Sequence, residues 1–479
     1  MNATTPLWTA EALARAARGK LQGAVAENVS GISIDTRTLS SGEAFFAIKG
    51  DRLDGHDFVE AALAKGAALA VVDEQSAKKF PADARLLIVG ETLQAMRDVA
   101  ASARARSSAK IVAVTGSAGK TGTKGALKLA LSPSGETHAS SASFNNHWGV
   151  PLSLSRLSQD AKFGVFEIGM NHAGEITPLV KLVRPQVAII TTIEPVHLEY
   201  FSGIEAIADA KAEIFLGLEP GGAAVLNRDN SQFARLEAAA KAAGVSRIVG
   251  FGEDAKAEAR LIEAGLQEDS STVHAEILGE KLMFKLGAPG KHLVMNALAV
   301  LAAAKLAGAD LAKAALALSQ LVPPVGRGRR AALRLPGGEG LLIDESYNAN
   351  PASMRAAIEV LSRAPLGKQG RKIAVLGDML ELGAEAALRH AELAQSLSAG
   401  KIDLVFCSGP LMHSLWEALP SGQRGGYAED AAALEPQVVA ALRGGDAVMV
   451  KGSNASGMGR IVKSLARKFG APQPANVSV

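Results

Sequence analysis

The alternation of apolar and polar positions divides the chain into three stretches. Residues 1 to about 107 carry the strand-like runs "GISIDTRT" and "EAFFAIKG", joined by the polar turn "LSSG", and then "ALAVVD" and "ARLLIVG". Short apolar runs bounded by turn residues predict a small mixed α/β domain. The charged stretch "RARSSAK" then gives way to the apolar "IVAVTG", which marks a first boundary at 107/108. From 108 to 325, "IVAVTG", "FGVFEIG", "VAIITTI" and "AAVLN" alternate with helical stretches, the pattern of a parallel sheet covered by helices. Two prolines and two glycines in "VPPVGRGRR" forbid a continuous element and set a second boundary at 325/326. Beyond it "GLLIDES", "KIAVLGDM", "DLVFCSG" and "AVMVKGS" repeat the alternation over 326–479, which predicts a Rossmann-like doubly wound unit. The expected fold class is α/β, in three domains.

Composition agrees with that division, since 479 residues exceed what one core supports and a domain takes about 100 to 200. Aromatics are only 4% of residues against 48% hydrophobic overall, so the cores must be aliphatic. Basic and acidic residues nearly balance, 51 against 48, and neither "RAR" nor "RGRR" has the length or aromatic interleaving of a nucleic-acid surface. A single cysteine, Cys407, excludes an internal disulfide and reads as a buried strand thiol, in keeping with a reducing, cytoplasmic setting. The N-terminal residues lack the basic start and apolar core of a secretory signal. The most apolar stretch, "HLVMNALAVLAAAKLAGADL", contains Asn296, Lys305 and Asp310 and predicts a buried helix, not a membrane span. A monomer is expected, because no heptad pattern is evident.

Chemistry concentrates where the first central strand breaks into Gly116, Ser117, Ala118, Gly119, Lys120 and Thr121 before a helical run. A strand, a glycine turn and a helix start present backbone N–H groups and partial positive charge to a phosphate. Lys120 is placed to reach a terminal phosphate and Thr121 to ligate Mg²⁺, giving the central domain a P-loop ATPase-like character. The strict motif wants a glycine where Val114 stands, so a tight structural turn remains an alternative. Glu167 closes "FGVFE", where a buried carboxylate needs compensation that a metal ion could supply. His197 follows "VAIITTI", at the end of a strand where doubly wound sheets present ligands, although taken by itself a structural histidine is the better reading. Lys211 falls on the apolar stripe of "IEAIADAKAEIFLGL" without an acid three or four residues away, so it either snorkels or points into a site. Asp344 and Glu345 end another apolar strand and suit ribose hydroxyls or an ammonium group; Asn350 and Pro351 behind them read as a helix cap and first turn.

In order along the chain, "SIDTRTLSSGEAFFAIKGDRLDGHDF", "TGSAGKTGTK", "NNHWGVP", "EIGMNHAGEI", "HLEYF", "DAKAEIF", "GKHLVMNALAV", "VGRG", "DESYNANP", "LGDMLELG" and "VKGSNA" resemble the Mur ligase family, and within it the members that add a dipeptide. The resemblance implies an ADP-forming ligase of peptidoglycan synthesis. Its substrates would be ATP, UDP-N-acetylmuramoyl-tripeptide and D-alanyl-D-alanine, joined through an acyl phosphate. It also implies roles. Lys120 would grip the phosphates, Thr121, Glu167 and His197 would ligate two Mg²⁺ ions, and Lys211 would be carbamylated beside the second. Asn296 would touch adenine, Arg327 the transferred phosphate, and Asp344, Glu345, Tyr347 and Asn348 would form the ATP-facing surface of the last domain. Thr36, Arg37, Asp54, Gly55 and His56 match the UDP-muramoyl end, and Asn145 and Asn146 a substrate-binding segment. Ser143, Glu345 and Asn454 depart from the family pattern, where asparagine, aspartate and arginine are frequent. A sister ligase adding one amino acid or glutamate, and a P-loop ATPase that makes no bond, stay open as alternatives.

Overall fold

The computed structural model describes residues 6–50, 52–140, 143–196 and 198–470. Three large sheets follow one another along the chain, besides a two-stranded antiparallel ladder of Trp8–Thr9 and Asn28–Val29. The first has five strands in the order Lys20–Gln22, Leu86–Val89, Leu69–Asp73, Glu43–Phe46, Gly31–Ser33. "LSSG" does not fold its flanking strands into a hairpin. The segment 34–42 carries the chain back, so that Gly31–Ser33 and Glu43–Phe46 run parallel. The first unit is fastened to the next by the Trp8 indole N–H, which donates to Ser155 O at 3.1 Å, and the Arg106 guanidinium of the first unit sits 3.3 Å above the Trp8 ring.

The second sheet has nine strands. Lys110–Thr115 lies between Val187–Ile190 and Phe163–Glu167, parallel to both, and every residue of these three strands except Lys110 is buried. Burial on both faces is why they read as unbroken apolar runs. Helices Lys120–Leu131 and Lys291–Leu306 cover one face, and Ile176–Val183 and Ile204–Ala212 cover the other. The parallel sheet expected from the apolar runs is present and is extended at one edge. Ala259–Leu266, Ser271–Ile277 and Glu280–Leu286 form an antiparallel meander at one edge. Ser271–Ile277 buries alternate residues, as a strand with one solvated face does.

The third sheet runs Arg329–Leu335, Gly338–Glu345, Ala447–Lys451, Lys372–Gly377, Leu404–Ser408, Arg424–Ala428. Its first two strands are an antiparallel hairpin and the rest are parallel, with apolar clusters on both faces. Cys407 is fully buried in it, and desolvation pushes its thiol up to about 12. Asn350 caps Pro351–Ser362 through a reciprocal bond with Ser353. Among the described residues no helix is long and apolar enough to cross a membrane. The carboxyl end of Lys110–Thr115 in the second sheet and those of Gly338–Glu345 and Ala447–Lys451 in the third open onto one shared cavity.

Candidate active site

The glycine loop is shaped by the strand beside it. Gly116 has φ 145° and Gly119 φ 84°, conformations that side chains rarely adopt. A Cβ on Gly116 would collide with Thr191 Oγ1, and one on Gly119 would meet Asn296 Nδ2 at 2.8 Å. The Thr191 hydroxyl donates to Ala118 O at 2.5 Å, the Ser117 amide donates to Thr192 O at 2.9 Å, and the Glu194 amide donates to Ser117 Oγ at 2.9 Å. Helix Lys120–Leu131 starts directly after the loop, so its first amides lack helical acceptors and are free for an anion. Val114 explains the missing glycine of the strict motif: it is still inside the strand, paired with Glu167 and Ile189. Lys120 Nζ turns back to donate to Gly116 O at 2.7 Å, and burial pulls its pKa down against the opposing charge of Glu167.

Glu167 is 2% exposed, and the structure corrects the idea that its burial calls for a metal. Oε2 accepts the Thr121 hydroxyl at 2.9 Å and lies 3.7 Å from Lys124 Nζ, while Oε1 accepts Asn145 Nδ2 at 2.8 Å. Protein donors therefore compensate the carboxylate. Ser143, the departing residue, meets Thr121 Oγ1 at 3.1 Å and lines the cavity. Asn146 does not join this group. Its Oδ1 accepts the Gly149 amide at 2.9 Å at the start of helix Gly149–Ser155. Among the described residues no three His, Cys, Asp or Glu side chains converge as a metal cage. A hydroxyl and one carboxylate still fit Mg²⁺, which ordinarily completes its shell with water and substrate phosphates.

The opposite wall comes from the third sheet. The Arg327 guanidinium sits 4.2 Å from the Tyr347 ring centroid. Lys451 Nζ lies 3.4 Å from Glu345 Oε2 and donates to Asn348 O at 2.9 Å. Desolvation raises the Glu345 pKa and Lys451 opposes the rise. Asp344 has a different job from the one its position implied: it accepts the Gly326 amide at 2.9 Å and the Ser346 hydroxyl at 2.7 Å, and it does not line the cavity. Asn454 is exposed and also lies off the lining. The cavity measures about 500 Å³ and brings the loop, Asn145, Glu167 and Asn296 together with Arg327, Glu345, Tyr347 and Asn348.

Lys211 is 1% exposed. Among the described residues no acid pairs with it, and burial together with the charge of Lys120 pulls its pKa well below the ordinary value. His197 lies outside the described residues. At the UDP-muramoyl end the residues hold one another. Arg37 is bonded to Asp35 at 2.6 Å, Thr36 O accepts Lys65 Nζ at 2.8 Å, and a Cβ on Gly55 would meet Ile48 O at 2.6 Å. The reading of His56 as a substrate contact is corrected. It is 5% exposed, its Nδ1 is 2.6 Å from Asp54 Oδ1, and its Nε2 accepts the Asp73 amide at 3.2 Å, which leaves neither ring nitrogen open. Sequence reasoning missed Thr191, Lys124 and Lys451. For Lys451 the signal was present, a cation ending the fully apolar "AVMV".

Residues 28–114, 114–304 and 330–454 match, in order, the models of the Mur ligase family catalytic domain, the Mur ligase middle domain and the Mur ligase glutamate ligase domain. The UDP-N-acetylmuramoyl-tripeptide–D-alanyl-D-alanine ligase of Escherichia coli K12 is 34% identical over 457 residues, 93% of this chain and 96% of that protein. The ligase of the same name from Bacillus subtilis is 34% identical over 80% of each chain. Among solved structures, MurF from Acinetobacter baumannii superposes with a TM-score of 0.82 at 30% identity, over 97% of this chain and 100% of that one. MurF ligase from Thermotoga maritima in complex with ADP gives 0.74 at 26% identity, over 91% and 97%. With sequence likeness over nearly its whole length and the loop and cavity in place, the chain belongs to the Mur ligase family.

Proposed function

We propose that this protein joins D-alanyl-D-alanine to UDP-N-acetylmuramoyl-tripeptide at the expense of ATP. The terminal carboxylate of the tripeptide attacks the γ-phosphorus and ADP departs; the dipeptide amine then attacks the acyl carbon, phosphate leaves, and the amine gives up a proton. The observation that carries the reading is the near-complete overlap with ligases of that name, and the cavity chemistry supports it. Phosphoryl transfer needs positioning and neutralisation of charge more than covalent help. Lys120 and the loop amides would bind the phosphates from the second sheet, with Asn296 beside the base, and Arg327 would approach the transferred group from the third. Tyr347 stacks on Arg327 and holds its plane. Glu345, fixed by Lys451, would accept ribose hydroxyls, with Asn348 beside it.

Thr121 and Glu167 would hold Mg²⁺, which when bound supplies charge neutralisation at the phosphates. Lys211 is suited to carbamylation: an amine kept neutral by burial can attack CO₂ and give up a proton to water, and the negative charge of the resulting carbamate would be answered by Lys120. Asn145 would orient Glu167 at the edge of the substrate cleft. Thr36, Arg37, Asp54 and Gly55 belong to the wall proposed for the UDP end, with His56 as its internal brace.

The test is phosphate release from ATP by purified protein, with the muramoyl tripeptide and the dipeptide added separately and together, and mass spectrometry of the product. The tripeptide is offered with diaminopimelate or lysine at its third position. Release that requires both substrates, with a pentapeptide product, is expected. Release with a single amino acid in place of the dipeptide would move the chain to a sister ligase, and release without either substrate would leave an ATPase.

A further inference from the structure

The proposed reaction leaves one buried cation beside the phosphate loop without a part. Lys124 lies one helical turn after Lys120 and is 4% exposed. Its ammonium is 3.7 Å from Glu167 Oε2, the same oxygen that accepts the Thr121 hydroxyl, and it donates to Ser140 Oγ at 3.1 Å. It is not among the side chains lining the cavity. A buried ion pair is weak evidence for stability, because apolar residues of similar volume often serve as well. The neighbours on this helix, Ala126, Leu127, Ala130 and Leu131, are apolar and buried. The charge at position 124 is therefore better explained by its effect on Glu167 than by packing.

We propose that Lys124 is a positioning residue that occupies Glu167 in place of the divalent cation until nucleotide arrives, so that the nucleotide-free site does not take up the metal alone. The proposal rests on the reading of Thr121 and Glu167 as Mg²⁺ ligands. Glu167 is answered by Lys124 in contact, with Lys120 and Arg327 also on the cavity wall. A divalent ion reaching Oε2 meets an ammonium already at that oxygen. Nucleotide phosphates reverse the balance by adding negative charge on the cavity side. Metal and nucleotide thus bind with positive coupling, and by linkage each strengthens the other by the same factor.

The experiment is a titration of nucleotide-free, full-length protein with Mn²⁺, free ion being counted by its paramagnetic resonance. Lys124→Met is expected to bind Mn²⁺ at least about tenfold more tightly than the unsubstituted chain, and adding Glu167→Gln to that variant should abolish the gain. Lys124→Gln carries the same expectation should the methionine variant fail to fold, folding being read by far-ultraviolet circular dichroism. Lys124→Arg, which keeps the charge, should bind like the parent. Unchanged or weaker Mn²⁺ binding by the neutral variants overturns the proposal. A gain that survives Glu167→Gln overturns it too, and removes Glu167 as the metal ligand. Because the readout is metal binding without nucleotide, failure here is distinct from failure of the ligase reading, which product formation decides.

Discussion

Replacing Lys211 by methionine should make the protein more stable while stopping its chemistry. The amine is buried without an acid partner among the described residues and faces the charge of Lys120, so folding favours its neutral form. The ordinary lysine value is 10.5, and each unit by which burial lowers it costs the folded chain about 1.4 kcal/mol while the unfolded amine stays protonated. Between the depressed folded pKa and the ordinary value, the unfolded chain binds the extra proton. Stability therefore rises with pH across that window, by about 1.4 kcal/mol per unit, and below the folded pKa the penalty is constant and largest. Lys211→Met removes the penalty while keeping most of the volume. Its melting temperature should exceed that of the unsubstituted protein at pH 7 to 8 in bicarbonate-free buffer. The gap should then close with rising pH by roughly 3–6 °C per unit for a domain of about 200 residues. Bicarbonate should stabilise only the lysine form, since carbamylation acts as a ligand of the folded state. Calorimetry from pH 7 to 9 is the assay. Melting curves of the two proteins that run parallel throughout would mean that the folded amine keeps its proton, and the argument for a carbamylated lysine would fall with it.

Other substitutions separate the loop from its surroundings. Lys120→Met should lower kcat by about 10²–10³ without unfolding the protein, as losing a preorganised charge at a phosphoryl-transfer centre does; steady-state phosphate release checks it. Gly116→Ala forces a side chain into φ 145° against Thr191 Oγ1 and should weaken ATP-analogue binding more than about tenfold by calorimetric titration. Gly221→Ala, at φ 77° with nothing near its Cβ position, should cost only about 1–2 kcal/mol of stability and leave that affinity alone. His56→Ala strands the Asp73 amide and removes one of two donors to the Asp54 carboxylate and should lower stability by about 1–3 kcal/mol with kcat preserved. A collapse of kcat would return His56 to the machinery.

What was legible in the sequence follows from which interactions are local. The buried strands read as apolar runs because both their faces are covered, and the loop read as a phosphate cradle because strand, glycines and helix are contiguous. The meander of 259–286 was missed because its alternation is diluted by exposed Ile262 and Met283. The roles of Asp344, His56 and Lys451 were illegible for a common reason. Their partners, Gly326, Asp73 and Glu345, lie 18, 17 and 106 residues away, and only the tertiary fold brings them together. An acid at a strand end looks the same in sequence whether it faces a ligand or ties down a loop.

The loop that Asp344 ties down bears on how the two walls of the cavity would close. The Gly326 amide donates to the Asp344 carboxylate, the Gly328 amide to Asp344 O at 2.8 Å, and the Tyr347 amide to Gly326 O at 3.0 Å. Arg327 is enclosed by these bonds and stacked on Tyr347, so it is carried by the third sheet. Upstream, 321–325 contains Pro323 and Pro324 between exposed Val322 and Val325, and we propose that this short segment is the pivot between the second and third units. On that reading Arg327, Tyr347 and Glu345 approach Lys120 as one rigid group. The charge that stabilises the transferring phosphoryl group is then complete only when the cavity is shut, the condition under which an acyl phosphate is also kept from water. An arginine on the glycine loop itself would neutralise the phosphate equally well in the open state and would forgo that coupling.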